Sequence, residues 1–246
     1  MTSNNDKCHL ITTSPDDVTI KIGCKDLTNE KNVKLLGVTI DHKLNFSDHV
    51  SKLCKKASIK LHALARVSKY MSMNKLRTIM KAFIESQFGY CPLIWMFHNR
   101  TLNNRINKIH ERALRLVYKD NTSTFSELLS RDGSFCIHHR NIQKLAIEMY
   151  KIKHSISPQL MNDIFIQKDN TYNLRSGQVW EIRAVKSVYN GTESLSFRGP
   201  KTWDMLPTDI KKSESLREFI FKVKRWKPEG CTCRLCKIYV NNLGFL

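Results

Sequence analysis

VKLLGVTIDHKLNFSDHVSKLCKKASIKLHALAR, Val33 to Arg66, changes its hydrophobic period in the middle. Up to Asp41 it is β-branched and aliphatic, the composition of a strand, with Gly37 set inside the run. A glycine within a strand pattern marks a bulge or a close backbone approach. From Ser47, which reads as an N-cap, apolar residues recur at helical spacing. Val50, Leu53, Cys54, Ala57, Leu61 and Leu64 make one face, and Lys52, Lys56 and Lys60 line another. The chain passes here from a β unit into a helical one.

Two more helices follow. One begins after Asn74 with Leu76, Ile79, Met80, Phe83, Ile84 and Phe88 inward, and FGYCPLIW ends it with Gly89 and Pro92. The other spans about 103–118, with Leu102, Ile106, Ile109, Ala113 and Leu116 apolar. It carries RINKIHERALRLVYK, which places basic residues at Arg105, Lys108, Arg112, Arg115 and Lys119, one stripe down a helix. Beyond Asp120 come a short amphipathic FSELL, a helix over 137–153 with Ile142, Leu145, Ala146 and Met149 inward, a brief helix after Ser157-Pro158, and a last one over 216–225. Residues 1–23 read as short strands punctuated by Asn, Ser-Pro and Gly. Between 170 and 200, Gly177, Asn190-Gly191 and Gly199-Pro200 read as turns between short strand-like runs. The predicted fold class is α+β, mainly α: a small β unit at 1–46, a helical bundle at 47–120, a mixed, largely helical region at 121–230, and a cysteine-containing tail at 231–246.

With 246 residues, 41% of them hydrophobic, the chain can bury a real core and is no disordered polyelectrolyte. Its net charge is +19, unevenly spread. Residues 1–46 carry six basic and six acidic residues, 47–120 carry 15 and 4, and 121–246 carry 20 and 12. The excess starts abruptly where the helices start, which points to an anionic partner for the helical part. There is no leading apolar run of signal-peptide type and no run of 18 apolar residues. The expectation is an intracellular protein, cytoplasmic or nuclear and not secreted, with reduced thiols and no membrane partner.

Of eight cysteines, three crowd together as Cys231, Cys233 and Cys236. Thiolates two and three apart can reach one tetrahedral Zn2+, but a closed structural site needs four ligands. No Cys or His follows Cys236. A fourth ligand would come from one of the nine histidines or from another chain; the other reading is cysteines that pack or stay exposed. His138-His139 invites a metal reading too, but a lone pair at a helix start is more often surface. The flanking Lys224, Arg225, Lys227, Arg234 and Lys237 suit a nucleic-acid contact with or without metal.

The stretch Val33–Arg66 also resembles the carboxy-terminal part of reverse transcriptases of non-LTR (LINE-type, jockey-like) retrotransposons. The matching residues are Leu35, Leu36, Gly37, Val38, Asp41, Leu44, Phe46 and His49. The resemblance continues through YCPLIW, LNNRINKIHERALRLVY and RGPKTWDMLPTDIK to the terminal CRLCK, over nearly the whole chain. It implies that residues 1–46 are the end of a truncated palm and 47–120 a helical thumb. It makes Leu36 and Gly37 the primer grip, Gly37 allowing backbone approach for want of a Cβ. SNNDKCHL makes Lys7 the lysine near the incoming triphosphate.

The family's catalysis needs two Mg2+ ions held by carboxylates. The resemblance puts those carboxylates before Met1, and Asp16-Asp17 reads as a solvated turn. The chain as it stands is expected to polymerise no DNA, to hold no Mg2+ and to take no small-molecule substrate. The implied partner is RNA and DNA, as a template–primer duplex whose phosphates meet Lys52, Lys56, Lys60, Arg105, Lys108, Arg112 and Arg115. Two other readings stay open: an inert or protein-binding product of a decayed element, and a fragment of a longer, active polymerase.

Overall fold

Asp41 turns the strand into the helix. Its buried carboxylate accepts from the backbone N–H groups of Lys43, Asn45 and Phe46 at 3.1, 3.2 and 2.6 Å. The bend takes Leu44 and Phe46 through left-handed conformations, φ 53° and 54°. Helix α1 (Ser47–Val67) then begins without a side-chain cap, and Asn45 Oδ1 accepts from Ser47 N at 2.8 Å. Ser47 is therefore the first helical residue and not the cap expected of it, because Asp41 and Asn45 already fix the entry. His49 joins strand to helix: its Nδ1 accepts from Thr39 N at 3.2 Å.

The computed structural model describes residues 8–13, 18–23, 25–97, 99–168, 179–182, 184–185 and 191–236. Two antiparallel hairpins come first: β1 (Thr19–Ile22) with β2 (Lys25–Thr28), and β3 (Asn32–Leu35) with β4 (Val38–Asp41). The run expected as one strand with a bulge is thus a hairpin. Leu35 pairs with Val38, and Leu36 (φ 46°) and Gly37 (φ 86°) make the two-residue turn, both left-handed as a primed turn requires.

Among the described residues the remaining α-helices are α2 (Met73–Ile79), α3 (Pro92–Trp95), α4 (Arg100–Tyr118), α5 (Phe125–Asp132), α6 (Ile137–Lys153), α7 (Leu160–Ile164), α8 (Leu195–Asp204), α9 (Thr208–Lys211) and α10 (Leu216–Val223). The fold is mainly α with two small sheets. Side chains cap several starts: Asn99 for α4, Ser194 for α8, Ser215 for α10, and Thr124 with Glu127 in a full capping box for α5.

One core lies among α1, α2 and α4. Val50, Cys54, Ala57, Leu61, Leu76, Met80, Ile84, Phe88, Ile106 and Ala113 are buried in it. Leu76, Met80, Ile84 and Phe88 stand four apart, a spacing wider than 3.6, so an uninterrupted α-helix would carry them off one face. After Ile79 the helix widens to a π-turn over Met80–Ile84 and tightens to 3-10 over Glu85–Phe88, which keeps all four inward. Phe83, expected inward, is 56% exposed because of that wide turn.

A second core gathers Leu145, Ala146, Met149, Tyr150, Trp180, Trp203 and Phe219. Ile137, at the start of α6, belongs to the first core and Met149 to the second, so α6 is shared by both. Gly199-Pro200, expected as a turn, lies inside α8. A Cβ at Gly199 would stand 2.5 Å from Phe165 Cε1 and 2.7 Å from Met149 Sδ, so the glycine serves close helix approach and not a turn. Gly177 and Asn190 lie outside the described residues. No helix among the described residues is long and apolar enough to cross a membrane.

Candidate functional site

Helices α1 and α4 pack side by side, and an open groove of about 700 Å3 runs along α1 beside the start of α4. Lys52, Lys55 and Arg66 line it from α1 and Arg105 from α4; Arg105 Nη1 donates to Ser51 Oγ at 3.4 Å. His62 adds an imidazole, and Asp48 is the one carboxylate among the described lining residues. Four permanent cations against one anion hold a positive potential in a concave place, where field lines concentrate. Lys108 and Arg112 continue the exposed stripe beyond Arg105.

The other expected phosphate contacts divide. Lys56 does not line the groove, and its charge, after burial and the charge of Lys52, helps lower the pKa of His49. The Lys60 ammonium stands over the ring of Phe83, 5.7 Å from its centroid. Arg115 is half-buried and donates through Nη2 to Glu111 Oε1 at 2.8 Å, an i,i+4 pair that neutralises it. Lys55, His62 and Arg66 were missed by attention to the 52/56/60 row; their spacing of seven and four is itself a helical stripe. Lys7, and with it Asp16-Asp17 and Lys237, lies outside the described residues.

Leu36 and Gly37 form the tip of the β3–β4 hairpin. Leu36 is 82% exposed, and its carbonyl oxygen accepts from the Tyr90 hydroxyl at 2.6 Å. The tip is open to approach, but the apolar residue presented there is stretched into a left-handed φ.

The described part of the cysteine-containing tail, residues 231–236, is packed into the fold. Cys231, Cys233, Leu235 and Cys236 are buried with Met96 and Ile142, against α3 and α6. Gln143 Nε2 donates to the Trp226 carbonyl at 2.7 Å, and Arg234 N to Glu193 Oε1 at 3.2 Å. His138, read from sequence as surface, is only 4% exposed, and its Nε2 lies 3.1 Å from Cys233 Sγ. Cys136 as the N-cap of α6 aims that first turn inward, its Sγ accepting from His139 N at 3.5 Å.

His138, Cys231, Cys233 and Cys236 thus offer one imidazole nitrogen and three sulfurs, all buried and all within 4.8 Å of one another. This cluster could hold a metal ion. Its three thiols share hydrogens: bonds from Cys233 and then Cys236 pull the Cys231 pKa down to about 3, and bonds to Cys231 and Cys233 push Cys236 far up. The first thiolate formed is welcomed and the last is penalised, as expected where anions crowd in a buried place. Nothing local ties His138 to the tail, since Cys233 lies 95 residues on; only the fold brings the two together.

Comparison with protein-family models, with curated proteins and with solved structures finds no match.

Proposed function

We propose that this chain is the palm end, thumb and carboxy-terminal region of a non-LTR retrotransposon reverse transcriptase, and that it holds a template–primer duplex by its phosphates. The observation that carries this reading is the convergence of Lys52, Lys55, Arg66 and Arg105 on one open groove with a single opposing carboxylate among the described lining residues. Such contacts position a duplex and do not read its sequence. Each neutralised phosphate releases counterion, so affinity falls steeply with salt. In the same reading the cysteine-rich tail takes zinc, the ion that thiolate and imidazole donors favour.

The test is a titration of the full chain with an RNA–DNA duplex at several salt concentrations. Wild type should show a steep negative slope of log K against log salt, by about 0.9 per phosphate contacted. Changing Lys52, Lys55, Arg66 and Arg105 together to Glu should remove most of the binding while leaving the fold, since none of the four is buried. Binding unchanged by those substitutions would sink the groove. No binding at all by a folded wild type would favour an inert or protein-binding product of a decayed element.

A further inference from the structure

We infer that His138 is the fourth ligand of a closed zinc site with Cys231, Cys233 and Cys236, and that the ion fastens the tail to α6. This rests on the zinc reading above and is independent of the groove.

The donor set comes first. Three sulfurs and one imidazole nitrogen are the composition of closed structural zinc sites, with Zn–S near ~2.3 Å and Zn–N near ~2.0 Å. A tetrahedron of those bonds has edges of roughly 3.5–3.8 Å, and the four donor atoms here already lie within 4.8 Å of one another. Burial comes second. His138 Nε2 stands 3.1 Å from Cys233 Sγ, and the imidazole and the three sulfurs are all buried. Four donors buried together around one point are cut off from water, and a metal bound through the imidazole and the three sulfurs gives each of them a strong partner. A disulfide cannot do this: joining two sulfurs strands the third thiol and the histidine.

Hard cations are excluded by the sulfurs, since Mg2+ and Ca2+ take oxygen ligands. With all four positions filled by protein, no place is left for water or substrate, so the role is structural. In the binding step all three sulfurs bind as thiolates, any thiol protons still present go to solvent, and the imidazole binds neutral. Three Zn–S bonds and one Zn–N bond form, and the site carries a single negative charge.

Metal analysis of the purified full chain, followed by zinc-affinity measurement by chelator competition and by cobalt spectra, tests this. One zinc per chain is expected in wild type. His138→Ala should weaken binding on the order of 100-fold or more, and His139→Ala should leave it unchanged. His138→Cys should restore it, with the cobalt bands moving from a three-sulfur, one-nitrogen to a four-sulfur pattern. Circular dichroism of each variant separates loss of a ligand from loss of the fold. A folded wild type that takes no zinc on reconstitution overturns the zinc reading altogether. Equal zinc affinity and equal cobalt spectra in wild type and His138→Ala overturn only the assignment of His138.

Discussion

The Tyr90 hydroxyl donates a 2.6 Å hydrogen bond to the Leu36 carbonyl oxygen, and the same ring lies 3.5 Å from where a Cβ on Gly37 would stand. A residue 54 positions away thus holds the tip of the β3–β4 hairpin. Tyr90→Phe should leave the fold intact and speed amide exchange at Leu36–Val38; unchanged exchange would mean that the turn holds itself. Leu36→Asn should raise stability by about 1 kcal/mol, because asparagine tolerates the left-handed turn that leucine resists. Urea midpoints read the gain.

Acid should destabilise the first core through Glu85. Burial alone would raise its pKa, but hydrogen bonds from His110 (3.0 Å) and Arg140 (2.6 Å) hold it at about 2, against an ordinary 4.5. A carboxylate with a depressed folded pKa stabilises fully above its unfolded value and loses that contribution as pH falls from about 4.5 towards 2. His110 acts in the same direction. Burial, chiefly, lowers its pKa from 6.5, so the unfolded chain takes the proton first and stability declines below that pH. Unfolding midpoints at pH 7, 5 and 3 should fall in that order. Glu85→Gln should flatten the lower limb, at a cost at pH 7 of up to about 3 kcal/mol.

Gly199→Ala should destabilise the second core by about 1–3 kcal/mol, the ordinary penalty for overpacking. The added methyl meets Phe165 and Met149, both buried, at 2.5 and 2.7 Å. A thermal midpoint equal to wild type would show that the pair can yield.

Arg105 and Arg115 sit on one stripe but should not count equally. Arg105 lies open in the groove, whereas Arg115 is already paired with Glu111. Arg105→Gln should lower the salt slope of duplex binding by about one contact, and Arg115→Gln should leave it nearly unchanged. Equal effects would show that the Glu111 pair opens on binding.

Much of the helical part was legible. Helix α6 runs over the expected Ile137–Lys153, because its apolar positions recur cleanly and its flanks break sharply. The hairpin was hidden because Leu36 is a poor turn residue and its support, Tyr90, is distant in sequence. His138 was hidden for the same reason: its partner Cys233 lies 95 residues on. Local pattern reports local forces, and both features are held by contacts made only when the chain has folded. Arg105, Lys108 and Arg112 of the basic stripe are exposed and Arg115 is paired with Glu111, a difference that charge spacing alone could not tell.

The π-turn at Met80–Ile84 has an arithmetical consequence. Without Phe83, the side chain it turns out to solvent, the inward residues Leu76, Met80, Ile84 and Phe88 would follow one another at four, three and four, the ordinary stagger of a regular helix. The segment therefore behaves as a helix that has absorbed one supernumerary residue, taken up by the π-turn and the 3-10 turn that follows it. Excising Phe83 should be tolerated where excising a residue of α1 or α4 would throw half of the core out of register.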